Sequence, residues 1–283
     1  MELKIFTKRP KKVALVLGGG ATRGLAHIGV IKAFEEHNIS FDYVVGTSIG
    51  SLIGAAYSAG LNSNQITEMA KGVTYRDIRK NFLPFTPSSA DGIKEVVRQT
   101  VGDKDISQLK RKFCAVAVDV ISSKEVHLTK GSVADAVAGS CSVPGVFYPV
   151  KFGDYRIFDG GLSNNLPADV PKIVFGCDAV IAVDVNSTRG QGTDSTKYLD
   201  QIMASIRIMM KSNALKGYLN ANIIIQPDLK RFNRTKLDAI DEMIEEGYKA
   251  TIFQMDAIKA LLRGKKADVK DKKIKVKRVK NIF

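Results

Sequence analysis

Ser48 sits where a reactive hydroxyl would be useful and a packing residue would not. It lies in Gly46-Thr47-Ser48-Ile49-Gly50, where the apolar run FDYVV ends and a small-residue helical pattern, SLIGAAYSAG, begins. A sharp strand-to-helix turn accounts for a glycine on either side, because a side chain at those positions would crowd the bend. Such an elbow holds a serine out as a nucleophile. A plain helix-capping serine is the alternative. The GxSxG pattern alone is weak, and the strand before it and the helix after it are what strengthen it.

A serine attacking an ester needs donors for the developing oxyanion and a base for its own proton. Gly18, Gly19 and Gly20 end the first apolar run, and successive glycines let backbone N–H groups converge on one anion. Gly18, Gly20 and Gly24 also resemble a dinucleotide fingerprint, but that fingerprint wants an acid at the end of the second strand. Asp42 begins that strand and Gly46-Thr47-Ser48 occupies its end, which favours the oxyanion reading. Arg23 either braces this loop, adds positive potential to it, or forms a surface salt bridge.

For the base there are three histidines and one well-placed carboxylate. His27 and His37 precede Ser48 on or near the first helix, and His127 occupies an exposed-strand pattern, KEVHLTK. A Ser–acid–His order would have to pair His127 with an acid between positions 48 and 127. A carboxylate acting directly is the other route. Asp159 ends the run YRIF, and Gly160 and Gly161 after it allow a turn that aims the side chain into a cleft. An ordinary Asp-Gly turn fits the same residues.

Alternating strand and helix patterns must position these pieces. KVALVL, FDYVV, KFCAVAVDV (112–120) and DAVIAVDVN (178–186) are near-continuous apolar runs, with helical spacing in LAHIGVIKAFEEHN between the first two. That pattern predicts a largely parallel sheet covered on both faces. Residues 72–107 mix aromatics, prolines and an uncapped amphipathic stretch, and read as a mobile covering segment. Residues 237–262 read as one long amphipathic helix or as two broken near Gly247. Phe82, Leu83, Phe85 and the helix at 92–101 offer a greasy entrance for an acyl chain, although packing explains them equally well.

Composition excludes several classes. The chain has 283 residues, enough for a large buried core, and its three cysteines are too scattered for a disulfide framework or metal knuckle. That cysteine usage fits a reducing compartment. The basic start followed by VALVL is too short in its apolar part for a secretion signal, and no run approaches the ~20 apolar residues of a membrane span. A cytoplasmic location is expected. Net charge is +14, with +4 in residues 1–12, +8 in residues 263–283 and +2 between them. Basic ends are either solvated tails or attract an anionic surface. The body shows no basic face or aromatic reading motif, so nucleic acid is not an expected partner.

GGG-x-x-R-G at 18–24, G-T-S-I-G at 46–50 and D-G-G at 159–161, in that order, resemble the patatin-like phospholipase family. The likeness continues through GSCSVPGVFYPV (139–150), Asn165-Leu166-Pro167 and GCDAVIAVDV (176–185), and covers about residues 13–186. The resemblance implies an α/β fold of three layers, α/β/α, with a mainly parallel central sheet. Residues 13–262 would be the catalytic domain, between a basic N-terminal segment (1–12) and a basic C-terminal tail (263–283). It also implies a Ser–Asp dyad, with Ser48 as nucleophile and Asp159 as base. Gly18, Gly19 and Gly20 would line the oxyanion hole with Arg23 close by, and Gly46, Gly50, Gly160 and Gly161 would support the motifs. The activity implied is a serine acyl hydrolase working through an acyl-enzyme on a lipid acyl ester, a phospholipid above all, with no cofactor and no metal. A lipid acyltransferase with the same dyad and a non-catalytic lipid-binding protein are the alternatives. Contact with an anionic membrane through the basic termini, at the inner membrane face, is the expected peripheral partner.

Overall fold

The apolar runs become the strands of a sheet that is buried on both faces, as unbroken hydrophobic strands require. A computed structural model describes residues 9–79, 86–187, 195–233 and 237–264. Its strands are β1 (Val13–Leu17), β2 (Tyr43–Thr47), β3 (Lys112–Asp119), β4 (Lys124–Leu128), β5 (Val150–Phe152), β6 (Tyr155–Asp159), β7 (Ala179–Val183) and β8 (Ile223–Ile225). Among the described residues these form one sheet in the order β5-β6-β3-β2-β1-β7-β8, with β4 also paired to β3. The run β8-β7-β1-β2-β3 is parallel throughout, while β4, β5 and β6 pair antiparallel.

Successive side chains along each strand point to opposite faces, and the helices divide accordingly. They are α1 (Ala26–Glu36), α2 (Ile49–Ala59), α3 (Ser63–Gly72), α4 (Tyr75–Ile78), α5 (Asp91–Val101), α6 (Val133–Ser140), α7 (Val170–Phe175), α8 (Tyr198–Asn213), α9 (Leu215–Asn220) and α10 (Ile240–Arg263). Leu15, Leu17, Val44, Phe113 and Ile181 join a core with residues of α1, α2, α5, α6 and α10. Val16, Val45, Cys114 and Ala182 join a second core with Leu166, Val170 and Ala214. The result is the three-layer α/β/α arrangement with a mainly parallel sheet. The strands read from the sequence appear where the apolar runs place them.

Two segments left open by their sequence patterns are settled by packing. Residues 237–262 contain one unbroken helix, α10, and not two. Gly247 lies inside it because a Cβ there would stand 1.9 Å from the Ala26 carbonyl oxygen, so it is a close-packing position against α1. Gly29 is the reciprocal contact, its notional Cβ falling 1.8 Å from the Ile244 carbonyl. Within 72–107, α5 is capped by Gly102 and packs on α6, so half of the covering segment is ordinary core structure. Phe82, Leu83 and Phe85, and the tail from 265 onward, lie outside the described residues.

Helix propensity alone favours alanine over glycine by about 1 kcal/mol. Gly247→Ala is nevertheless predicted to destabilise the fold, by about 1–3 kcal/mol, because the α1–α10 crossing has no room for a methyl group. Gly72→Ala, at a helical position with nothing within 4 Å of the added carbon, serves as the control and should be neutral or stabilising. Urea unfolding midpoints of the two variants distinguish these outcomes.

Candidate active site

Ser48 and Asp159 are brought together by the register of β3. β2 pairs with the first part of β3 and ends at Thr47 opposite Val116. β4 covers residues 115–119 on the far edge, so β6 has to join β3 on the edge that β2 has just left. It does so with Asp159 opposite Ala117, one residue beyond Val116. Two segments more than a hundred residues apart therefore finish side by side on one strand edge.

The turn after β2 is tight. Ser48 has φ 54° and ψ −130°, a conformation that side chains other than glycine rarely take and that costs about 1–3 kcal/mol. Flanking glycines make it achievable. A Cβ on Gly46 would stand 2.4 Å from the Gly50 carbonyl oxygen, and one on Gly50 would stand 2.0 Å from the carbonyl oxygen of Leu17. The Ser48 N–H donates to Ser140 Oγ at 2.9 Å, and that hydroxyl donates to the Val116 carbonyl at 2.6 Å. Ser140, at the end of α6, thereby ties the elbow to β3. Ser51 Oγ donates to the Ser48 carbonyl at 2.7 Å and fastens it from the other side.

Asp159 is fully buried. Its Oδ1 accepts from the Gly161 N–H at 2.8 Å, which uses the first turn after β6 to hold the carboxylate in place. The Ser48 hydroxyl is near enough to favour the charged carboxylate but outside full hydrogen-bond geometry, so Oδ2 has no partner among the described residues. Burial pushes the Asp159 pKa up to about 6, against the opposing pull of the Ser48 hydroxyl and the Gly161 N–H. Gly160 packs its backbone against Val116, where a Cβ would stand 2.2 Å from the carbonyl oxygen. The neighbouring thiol of Cys141 is pushed well above its usual range, by burial first and then by the Asp159 charge.

The glycine loop runs alongside. Gly19 comes within van der Waals reach of Ser48, since its notional Cβ lies 3.4 Å from Ser48 Cβ. The Gly18 N–H donates to the Val183 carbonyl at 3.0 Å and the Gly19 N–H to the Asn165 carbonyl at 2.9 Å. Asn165 also donates through Nδ2 to the Gly19 carbonyl at 3.2 Å, clasping the loop to the segment after Asp159. Gly18 and Gly19 thus spend their amides on the fold. The amides of Gly20 and of Ile49, the first residue of α2, have no partner among the described residues. Arg23 is fully buried, and its Nε and Nη2 donate to the Phe232 carbonyl at 3.1 and 2.8 Å. Of the three roles open to it in the sequence, bracing is the one this geometry supplies.

Each histidine has its own partner away from Ser48. His27 is buried, and its Nε2 donates to the Gly18 carbonyl at 2.8 Å, so it holds the glycine loop from below. Desolvation lowers its pKa to about 4, and it is neutral near pH 7. His37 donates to the Ala33 carbonyl, and His127 pairs with Glu125 at 2.7 Å on β4. Neither Ser140 nor the loop-holding role of His27 was visible in the sequence, because both depend on contacts between distant segments. Among the described residues no cluster of three or more His, Cys, Asp and Glu side chains forms.

Ser48 and Asp159 open onto an elongated, mostly apolar cavity of about 340 Å³. Leu52, Ile93, Val96, Met203 and Met210 supply much of its wall, and Arg207 brings it a cation. This size falls within the range of small-molecule sites. Ile93 and Val96 belong to α5, so the helix expected at 92–101 does line the cavity. The α8 residues Met203, Arg207 and Met210 were not singled out by the sequence.

Comparison with known proteins places the chain in a family. The pattern of the family described as patatin-like phospholipase matches residues 15–172. An uncharacterised NTE family protein of Mycobacterium bovis is 30% identical over 228 residues, which cover 77% of this chain and 63% of that protein. Patatin-like phospholipase domain-containing protein 6 of Mus musculus is 36% identical over 200 residues, 67% of this chain but only 14% of that protein. The chain therefore spans less than two thirds of these curated relatives. Among solved structures, VipD of Legionella pneumophila superposes with a TM-score of 0.59 at 13% identity, over 88% of this chain and 67% of that one, a likeness of fold.

Two of the fully buried titratable groups, His27 and Asp159, carry opposite pH signs. His27, lowered from 6.5 to about 4, stabilises the fold above pH 6.5, and that stability is lost as pH falls toward 4. Asp159, raised from 3.8 to about 6, makes the fold more stable as pH falls through the same region. In Asp159→Asn the His27 effect should stand alone. The urea midpoint should then fall between pH 6.5 and 5, by at most about 1.4 kcal/mol per pH unit. Adding His27→Gln should flatten that dependence. Asp119 and Glu125, both lowered to about 2, act only below this window.

Proposed function

The chain belongs to the patatin-like phospholipase family, and from that premise we propose that it is a serine acyl hydrolase acting on lipid acyl esters. The observation that carries this reading is the pairing of a strained serine elbow with a fully buried carboxylate, one oxygen of which is unpartnered, on the wall of an apolar cavity. Packing alone gives no reason to bury a carboxylate in this way, because an unpaired buried charge is costly.

In the proposed reaction Ser48 Oγ attacks the ester carbonyl carbon as its proton passes to Asp159. The carbonyl oxygen becomes an oxyanion, met by the free amides of Gly20 and Ile49 and by the positive end of α2. The tetrahedral intermediate collapses, the C–O bond to the alcohol breaks, and Asp159 returns the proton to the leaving oxygen. Water then attacks the acyl-enzyme, giving its proton to Asp159, and the fatty acid departs as Ser48 Oγ recovers that proton. A carboxylate raised to about 6 is a stronger base than an ordinary aspartate yet largely ionised at neutral pH, which suits proton acceptance. Gly18 and Gly19, whose amides are engaged, contribute by holding the loop. The cavity accepts an acyl chain, and a phospholipid is the substrate class proposed. Contact of the basic termini with anionic lipid is part of the same proposal, and no described helix is long and apolar enough to cross a membrane.

Ser48→Ala should lower kcat/KM for ester hydrolysis by about 10⁴-fold or more with the melting temperature nearly unchanged. Retained hydrolysis would discard the scheme, and absence of fluorophosphonate labelling at Ser48 would favour a lipid-binding protein. Product analysis with added alcohols separates transfer from hydrolysis. The pH profile of kcat/KM should fall tenfold per unit below an apparent pKa of about 6 and level off above it. Asp159→Asn should abolish turnover yet raise the urea midpoint at pH 8, since it removes a buried charge. A carboxylate with a purely structural role would lose stability on that substitution.

A further inference from the structure

Helix α8 has two unlike faces. Met203, Ile206 and Met210, at helical spacing, line the Ser48 cavity. The opposite face carries Tyr198, Gln201, Ser205, Ile208, Met209 and Ser212, all exposed to solvent. No charged residue falls on it. Tyr198 is 80% exposed and Ile208 69%, and α9, which follows directly, exposes Leu219 at 62%. A helix facing water normally carries charge on its outer side, and one with an apolar outer side marks an interaction surface. Here the charges flank the strip. Lys197 and Lys211 stand exposed beside it together with Asp200, while Lys216 is ion-paired to Asp169 at 2.6 Å and Arg207 lines the cavity.

An uncharged face that exposes Tyr198, Ile208 and Met209 among small or amide side chains, with Lys197 and Lys211 beside it, matches the boundary of an anionic bilayer, where apolar side chains enter below the headgroups and cations meet phosphate. At 16 residues α8 lies on a membrane and does not span it. We propose that the outward face of α8 and α9 seats on an anionic lipid surface. The helix that lines the acyl cavity would then also be the one that meets the bilayer, so an acyl chain could reach Ser48 with little exposure to water. The function assigned to this surface rests on the lipid hydrolase reading, whereas binding itself can be measured without turnover.

The test is flotation of the full chain with phosphatidylcholine vesicles, with and without phosphatidylglycerol, at low and high salt. Wild type is expected to bind the phosphatidylglycerol vesicles and to keep part of that binding at high salt, where attraction by the basic tail is screened. Ile208→Asp combined with Met209→Asp should reduce binding at high salt by about tenfold or more. Its melting temperature should be nearly unchanged, and its turnover of a water-soluble short-chain ester should stay within about twofold of wild type, since surface changes are mild. Equal binding by variant and wild type would overturn the proposal. So would wild-type binding that vanishes entirely at high salt, or a wild-type dimer that the variant converts to monomer, which would make the strip a contact between copies of this chain. Vesicle binding without ester hydrolysis would leave the surface standing and remove the hydrolase reading.

Discussion

A change of partner along one edge of β3 underlies the whole site. A β ladder holds its neighbours in fixed register, so whatever pairs at adjacent residues is placed with backbone accuracy. β2 leaves that edge at Val116 and β6 takes it up at Ala117. The turn that exposes Ser48 and the strand end that carries Asp159 therefore meet without a flexible loop between them. Ser140 strengthens the junction, because its hydroxyl bonds both the Ser48 amide and the Val116 carbonyl. The glycines at the junction follow from the same geometry. Backbone passes backbone too closely at positions 46, 50 and 160 for any side chain.

Stability and chemistry pull against each other here. The fold holds a non-glycine residue at positive φ, a carboxylate out of water and a histidine that must stay neutral. Each is a cost that the surrounding core offsets, as is common where a site is preorganised. The arrangement around the glycine loop shows how the cost is contained. Two of its three glycine amides are paired to the backbone, a buried histidine and Asn165 hold its carbonyls, and Arg23 anchors the turn beyond it to Phe232. Among the described residues only Gly20, at the end of the loop, is left with an unpaired amide. A rigid loop with one free donor loses less by reorganisation than a floppy one with three.

The cavity is assembled differently from the dyad. Much of its wall comes from α2, α5 and α8, elements that share no ladder. Methionines on α8 suit such a wall, since they adapt their shape to what enters. The same helix turns an uncharged face outward, so the boundary between cavity and solvent is one helix thick at that place. Ser48 and Asp159 sit at strand ends of the sheet, while the cavity walls come from helices around it.

What could be read in advance was whatever is settled by neighbours in the chain. Apolar runs marked the central strands, and glycine on both sides of Ser48 marked the elbow, because strand patterning and turn sterics act over a few residues. Gly247 left one helix or two open for the same reason. Locally it reads as a helix break, and only the Ala26 carbonyl across the α1–α10 crossing explains it. His27 on a helix pattern gave no hint of its burial, and Gly18 and Gly19 gave no hint that Val183 and Asn165 would take their amides. The amino-acid sequence by itself determined the elements, the motif residues and their order, since these follow from local conformational preference and hydrophobic periodicity. Tertiary structure alone decided which carboxylate reaches the serine, which amides stay unpaired and which helix closes the cavity, because register and helix crossing depend on partners far away in the chain.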